Sequence, residues 1–170
     1  TIILEDGKHI RLLGVNTPEI ESRQRAEEPG GVAAKKWLQA QLQDKKVYLE
    51  YDEVKFDKYK RQLAHVFLSN GKHLNLALLE NGLGTVSIIP PNVRYSDKLT
   101  QAQQHAEKMQ LGIWAMPEYQ LKPIAQIANH AKGWQRFNAT FHTIKKNRKY
   151  TRLLINDKID IRISNQNLKA

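Results

Sequence analysis

The chain contains no cysteine among its 170 residues. Disulfide bonds and thiolate metal sites are therefore excluded, whereas the redox state of its compartment stays open, because a cysteine-free chain suits either kind. Internal repeats and low-complexity tracts are also missing, and no apolar run is long enough to cross a bilayer. With 41% hydrophobic and 26% charged residues, the composition is that of one globular domain, or of one domain with a small appendage.

No signal peptide is expected within these residues, because the sequence contains nothing longer than a short apolar run. The chain begins at Thr1, without a methionine and within a predicted strand. We therefore expect that an upstream segment has been removed, and a targeting segment is one candidate for it.

Acidic residues are scarce towards the C-terminus. Residues 1–119 carry 16 lysines and arginines against 15 acidic residues, whereas residues 120–170 carry 11 against two. Nearly all of the net charge of +10 thus falls on the last third of the chain. Such asymmetry is typical of a surface that binds a phosphate backbone. The alternative is a solvated lysine-rich face that only aids solubility.

The hydrophobic pattern predicts the α+β class, with a small OB-type β-barrel and about three helices. We predict a hairpin over residues 1–15 that turns at Asp6-Gly7, and further strands over residues 46–51 and 61–68. Helices are predicted over residues 32–42, 74–81 and 96–110, with Ser96 capping the third and with Gly82 and Gly112 as helix ends.

Three domain segments are predicted. The barrel domain covers residues 1–114, a linker that is helical over 124–131 covers residues 115–133, and a small basic β-strand module covers residues 134–170. Strands of this module are expected over residues 134–144, 150–156 and 159–163. Such a short module buries little apolar area, so it must pack on the barrel, oligomerise or be the truncated start of a larger module.

The turn between the first two strands of this module is predicted to contact phosphate groups. Its cations are Lys145, Lys146, Arg148 and Lys149. Aromatic residues are interleaved with the basic ones, an arrangement that suits base stacking with charge along the backbone. For Phe137 and Phe141 we favour a place in the core instead, whereas Trp134 and Tyr150 remain candidates for stacking.

Two segments carry functional groups beside predicted strands. The first is RLLGVNTPE, from Arg11 to Glu19, and the second is DKYKRQLAHV, from Asp57 to Val66. Paired guanidiniums can clamp a phosphate, a carboxylate can orient or deprotonate a water, and an oxygen-rich loop can hold a hard cation. This combination suits phosphodiester hydrolysis.

These segments resemble the thermonuclease (staphylococcal nuclease-like) family. Three further segments occur in the family's order: residues 31–43, LNLALLENGLG at 74–84, and QAQQHAEKMQLGIW at 101–114. Five landmarks in order make the resemblance specific, and it covers residues 1–114. It implies a calcium-dependent endonuclease that hydrolyses DNA or RNA, leaves 3′-phosphates, and is secreted or periplasmic.

The resemblance also implies residue roles. Arg11 and Arg61 would hold the scissile phosphate, and Glu19 would act as general base or orient the attacking water. Glu21 is an alternative carboxylate without motif support. Lys58 and Tyr59 would contact substrate phosphates, although Tyr59 has packing as an alternative role.

A weak calcium site is implied by the same resemblance. The family has an aspartate at the position of Asn16, a backbone carbonyl ligand at Thr17, and a second aspartate just upstream of the position of Thr1. Since calcium affinity follows the number of anionic ligands, Asn16 predicts weak binding of Ca²⁺. The six histidines show no metal-ligand spacing, which argues against a histidine-based nuclease.

Two other functions stay open. One is a nucleic-acid-binding OB-fold protein with weak or lost catalysis, which Asn16 favours. The other is a protein-interaction module, which fits the near-neutral first part but explains the basic tail poorly. The combination of Arg11, Glu19 and Arg61 favours the enzyme.

Overall fold

The computed structural model describes residues 1–21, 26–126, 136–156 and 159–165. The chain divides into two compact units, Thr1–Pro117 and Glu118–Ala170. Trp134 and residues 127–131 of the predicted linker helix lie outside the described residues. Within the described ranges, no helix has the length and apolar character needed to cross a membrane.

Within residues 1–21 and 26–117, the first unit combines six short strands with three helices. The strands are β1 (Ile2–Ile3), β2 (His9–Leu12), β3 (Gly14–Asn16), β4 (Val47–Glu50), β5 (Gln62–Leu68) and β6 (Thr85–Ser87). The helices are α1 (Gly31–Leu42), α2 (Leu74–Glu80) and α3 (Ser96–Lys108), and a 3-10 turn, Gly112–Ala115, follows them.

One sheet of the unit has the strand order β1-β2-β5-β4. The predicted hairpin joins β1 to β2, and Gly7 supplies the positive φ of 78° that its turn requires. β5 runs parallel to β2, with Arg11 opposite Leu63, whereas β4 is antiparallel to β5. The parallel pairing brings the residues that open β2 and β5 to the same end of the sheet.

The prediction of one continuous strand up to Val15 is wrong. The chain bends at Gly14, whose φ is 71°, and β3 pairs with β6 instead of continuing beside β5. The positive φ favours glycine there, and a Cβ atom at this position would also press against Cδ1 of Leu99 in α3. This bend curls the sheet into an OB-type half-barrel, and the predicted α+β class is confirmed.

The helices agree with the predicted spans to within two residues, but their ends differ. Tyr95, in the left-handed region at φ 63°, precedes α3 and makes no side-chain capping bond, so the predicted cap at Ser96 is wrong. α3 ends at Lys108, because Gln110 adopts a φ of 52° that a helix cannot continue. Gly82, at φ 64°, follows α2 as predicted.

The core of this unit lies between the curled sheet and the helices. Its fully buried side chains include Ile10, Val66, Leu74, Leu78 and Leu99. The amide of Asn75 is buried among them. It donates to the carbonyls of Leu13 and Ala64 at 2.9 and 3.2 Å and accepts from the backbone N–H of Val66 at 2.9 Å. α2 is thereby fastened to β5 and to the bend between β2 and β3.

The described residues of the second unit form two small sheets. β7 (Lys122–Pro123) pairs in parallel with β8 (Phe137–Asn138), and an antiparallel sheet has the order β9 (Thr143–Lys146), β10 (Tyr150–Asn156), β11 (Ile159–Ser164). The single strand predicted over 134–144 is wrong, because β8 and β9 join different sheets. Phe141 is exposed, so its predicted core position is also wrong. Only a 3-10 turn, Ile124–Gln126, stands where the described part of the linker helix was expected.

Candidate functional site

Arg11 and Arg61 line the same cleft. Arg11 lies within β2 and Arg61 immediately precedes β5, and the two strands are parallel neighbours. The cleft has a volume of about 400 Å³. Burial lowers the pKa of the Arg11 guanidinium, the positive Arg61 lowers it further, and the carboxylates of Glu19 and Asp57 oppose both effects. The two positive charges therefore repel each other in one partly buried site, and a bound anion would relieve this repulsion.

Asp57 fixes the position of Arg61. Its Oδ2 accepts a hydrogen bond from Nε of Arg61 at 2.8 Å and forms an ion pair with Nη2 at 2.7 Å. Its Oδ1 accepts from the backbone N–H groups of Tyr59 and Arg61 at 2.9 and 3.0 Å. Burial alone would raise the pKa of the Asp57 carboxyl, but these hydrogen bonds and the Arg61 charge lower it below the ordinary value.

Asp57 was not predicted as a site residue. In an Asx turn an aspartate side chain accepts a hydrogen bond from the backbone N–H two residues later, and Asp57 accepts from Tyr59 in this way. The signal was present in the sequence, but the ion pair with Arg61 depends on the fold of the turn.

Arg11 is held by Asn16. Nη2 of Arg11 donates to Oδ1 of Asn16 at 3.1 Å, so the contact joins β2 to the end of β3 across the bend at Gly14. The same Asn16 oxygen is the one expected to contact a cation. A guanidinium therefore already occupies one direction of approach to this oxygen.

Glu19 lies on the loop between β3 and α1, and its side chain is exposed. The backbone of Glu19 is fixed, because its N–H donates to Oε2 of Glu28 at 3.0 Å and its carbonyl accepts from the N–H of Glu28 at 2.8 Å. A Cβ on Gly31 would lie 2.6 Å from the Glu19 carbonyl oxygen, so the start of α1 packs directly on this loop.

Glu19 is brought near the arginines but lines a different depression. Burial lowers the pKa of Arg11 and the Glu19 charge opposes that lowering, so the two groups lie within electrostatic reach of each other. With Thr1 and Thr17 it borders a groove of about 840 Å³ along α1, whereas the arginines border the smaller cleft. Thr1 connects the two, since its Oγ accepts from Nη1 of Arg61 at 3.0 Å. Glu21 is exposed on the same loop.

Lys58 and Tyr59 lie on the turn that Asp57 organises. The Tyr59 ring is 67% exposed, which is against a packing role. Nζ of Lys58 lies 5.0 Å from its centroid and Cζ of Arg61 lies 5.4 Å from it. The ring thus stands beside two cations, one of which, Arg61, lines the arginine cleft.

The described residues around Asn16 and Glu19 provide the oxygen donors expected for a cation. They offer the Asn16 side-chain oxygen, the Thr17 carbonyl and the Glu19 carboxylate, all hard oxygen ligands of the type that Ca²⁺ prefers. Across the described ranges, no group of three or more histidine, cysteine, aspartate or glutamate side chains has metal-binding geometry. These donors are of the chemical type that calcium prefers, and one of them, that of Glu19, is a carboxylate.

An apolar wall borders the arginine cleft and was not foreseen from the sequence. Phe56 and Ile89 are 57% and 72% exposed and line the cleft together with Pro90 and Pro91. The Asn92 amide ties the two halves of the wall together: it accepts from the N–H of Val54 at 2.8 Å and donates to the Val54 carbonyl at 2.9 Å. Exposed apolar groups beside two guanidiniums suit a ligand with both an anionic and an apolar part.

The four cations predicted around the C-terminal turn do not share one surface. Lys145 and Lys146 are consecutive residues of β9, so their side chains lie on opposite faces of the sheet. Arg148 and Lys149 lie in the turn itself, where Oδ1 of Asn147 accepts from the N–H groups of Lys149 and Tyr150 at 2.9 and 2.7 Å.

Comparison with known proteins gives a consistent result. Residues 9–116 match the family described as staphylococcal nuclease homologue. A thermonuclease of Staphylococcus intermedius is 40% identical over 117 residues, which cover 67% of this chain and 69% of the relative. A thermonuclease of Staphylococcus hyicus is 38% identical over 119 residues, covering 68% and 69%. Endonuclease YncB of Bacillus subtilis is 33% identical over 121 residues, covering 69% and 57%.

Proposed function

The chain belongs to the staphylococcal nuclease homologue family, and we propose on this premise that it is a calcium-dependent endonuclease acting on DNA or RNA. The observation that carries the proposal is the shared cleft of Arg11 and Arg61, with Glu19 within electrostatic reach of Arg11. A secreted or periplasmic location follows from the family resemblance and belongs to the same proposal.

The two arginines hold and activate the scissile phosphodiester. Their guanidiniums donate hydrogen bonds to its non-bridging oxygens and stabilise the negative charge that these oxygens gain in the transition state. Asp57 keeps Arg61 oriented for this role, so less side-chain entropy is lost when the phosphate binds.

Glu19 orients and deprotonates the attacking water. The water oxygen forms a new bond to phosphorus, the bond from phosphorus to the 5′ oxygen breaks, and that oxygen takes up a proton. The products are a 3′-phosphate and a 5′-hydroxyl. Lys58 and Tyr59, on the exposed turn beside Arg61, contact a neighbouring phosphate of the substrate.

Asn16, the Thr17 carbonyl and Glu19 are the groups that would hold Ca²⁺. When bound, the ion would polarise the phosphate and lower the pKa of a coordinated water. Because only one of these ligands is anionic, the affinity is low.

Replacement of Arg61 by lysine tests the proposal. Lysine keeps the charge but cannot donate two parallel hydrogen bonds, so kcat should fall by about 10²- to 10³-fold on single-stranded DNA with calcium. Arg94→Lys, which changes an arginine outside the cleft, is the matched control and should retain activity. If Arg61→Lys hydrolyses DNA as fast as the unmodified protein, the catalytic assignment is wrong. If neither protein hydrolyses DNA but both bind it, the chain is the non-catalytic OB-fold protein.

A further inference from the structure

Three cations form a row across the C-terminal sheet. In the register of β9, β10 and β11, Lys145 lies directly opposite Arg152, and Arg152 lies directly opposite Arg162. Residues directly opposite on antiparallel strands project from the same face, at a strand spacing of about 4.8 Å. The row (Lys145, Arg152 and Arg162) therefore belongs to one face of the sheet.

The two faces of this sheet differ in character. Tyr150 and Ser164, which pair with each other, lie on the face of the row. Lys145 and Arg162 are exposed, and Tyr150 is 45% exposed. The opposite face carries Thr151 and Lys146 together with apolar residues, which are Ile144, Leu153, Ile155, Ile161 and Ile163. Thr151 and Ile155 are buried on that face, although Ile144 at its edge is 57% exposed.

The row places one cation on each of three neighbouring strands. A polyanion laid across the strands would therefore meet a positive side chain on each of them. The ring of Tyr150, two residues before Arg152 on the same face, adds a surface on which a base can stack.

We propose that the face of β9, β10 and β11 that carries Lys145, Arg152 and Arg162 binds the sugar–phosphate backbone of nucleic acid, with Tyr150 as a stacking residue. The proposal rests on the proposed function only in taking nucleic acid as the partner. The proposed phosphate-binding surface is one face of the sheet, whereas the sequence predicted phosphate contact by the whole turn. Lys146, which pairs with Thr151, belongs to the other face.

Two neighbouring lysines provide a matched pair of variants. Lys145→Gln and Lys146→Gln each remove one charge from an exposed residue of the same strand, on opposite faces. Binding of the full chain to a fluorescent single-stranded DNA oligonucleotide is measured between about 50 and 200 mM salt. Each phosphate contact contributes about 0.7 to the slope of log affinity against log salt for a single strand. Lys145→Gln should lower the slope by this amount and Lys146→Gln should leave it unchanged.

The double variant Lys145→Gln/Arg162→Gln enlarges the effect and spares the half-buried Arg152. It should lower the slope by about 1.4 and weaken binding severalfold at low salt. Equal slopes for Lys145→Gln and Lys146→Gln would overturn the proposal. A second contradicting outcome is that the double variant binds DNA as before but no longer binds phosphatidylserine-containing vesicles. The row would then bind a membrane surface and not nucleic acid.

Failure of this proposal can be told apart from failure of the nuclease function. Hydrolysis of a mononucleotide p-nitrophenyl phosphodiester, which the arginine cleft alone can hold, reports on catalysis. The double variant should retain this activity. If the chain hydrolyses neither DNA nor the p-nitrophenyl phosphodiester, but Lys145→Gln and Lys146→Gln differ in salt slope, the nuclease function is refuted and the binding face is supported.

Discussion

Arg11 and Arg61 are held by different kinds of partner. Arg61 is fixed by a carboxylate, because Asp57 binds both its side chain and its backbone. Arg11 is fixed by a neutral amide, that of Asn16. A charged partner orients a guanidinium more strongly than a neutral one, since a charge-assisted hydrogen bond is about twice as strong. Arg61 is therefore the more rigidly placed of the two.

Asp57→Asn should weaken catalysis without unfolding the protein. The amide keeps one oxygen for the backbone N–H groups of the turn but loses the ion pair with Arg61. We expect kcat to fall by about 10-fold or more, while KM changes less, because a mispositioned guanidinium mainly weakens transition-state contacts. Steady-state kinetics give both constants. Glu53→Gln, an exposed acidic residue nearby, is the control; equal loss in both variants would assign the effect to general charge.

Asn16→Asp should raise activity at limiting calcium. The substitution adds one anionic ligand to a donor set that has one carboxylate, and calcium affinity rises with the number of such ligands. Calcium titrations of DNA hydrolysis and of the melting temperature measure the effect in two independent ways. An identical calcium dependence would show that this side chain does not bind the metal, and its contact with Arg11 would then be its whole role.

Two histidines are packed between β5, α2 and α3. His65 is fully buried, and its Nδ1 atom lies 3.2 Å from Nε2 of His73. His73 stacks on Phe67 with ring centroids 4.4 Å apart. Burial lowers the pKa of His73 from 6.5 to about 4, and proximity to His65 contributes to the same shift. Burial likewise lowers the pKa of His65. The charged groups that face the pair are Glu50, Asp52, Arg94 and Lys98.

The protein should lose stability as the pH falls below about 6.5. Between pH 6.5 and 4 the unfolded chain binds a proton that the folded His73 does not, so the free energy of unfolding decreases with falling pH. A shift of this size corresponds to about 3 kcal/mol, which solvent screening at a half-buried imidazole reduces to about 1–2 kcal/mol.

Urea denaturation at pH 7 and at pH 5 measures this loss. The pH dependence should be flatter for His73→Gln, which cannot take up the proton. It should be unchanged for His105→Gln, which alters an exposed histidine on α3. Equal pH dependence in His73→Gln and the unmodified protein would mean that His73 is not the group responsible.

The arginine cleft and most of the net positive charge belong to different units of the molecule. The unit Thr1–Pro117 contains the arginine cleft and its own buried core. The unit Glu118–Ala170 contains the row of cations on its sheet. Since a phosphate-contacting surface contributes mainly affinity and salt dependence, the two units should be separable in experiment.

A chain ended at Pro117 should stay folded and hydrolyse a short phosphodiester at the rate of the full chain. Its binding to long single-stranded DNA should weaken, with a shallower salt slope, because the C-terminal cations are gone. Circular dichroism, kinetics and binding at several salt concentrations test these points. Unfolding of the shortened chain would mean that the second unit completes the core, and an unchanged slope would make its charges a solvated surface.

Much of the barrel could be read from local signals. Asp6-Gly7 predicts its hairpin, the helical spacing of apolar residues predicts α1 to α3, and the RLLGVNTPE and DKYKR segments predict the positions of both arginines. These signals work because turn chemistry and side-chain periodicity depend on residues close in sequence. The C-terminal strands were harder, since β8 and β9 follow one apolar pattern but pair with different partners.

The sequence alone determined the fold class, the family and the basic character of the C-terminal part, because composition, spacing and motif order do not depend on three-dimensional contacts. Only the tertiary structure decided that Asn16 holds Arg11, that Phe56 and Ile89 wall the arginine cleft, and that Lys145, Arg152 and Arg162 form one row. The physical reason is that each of these relations joins residues from different strands or loops. Strand register and the bend at Gly14 set them, and neither follows from local preference.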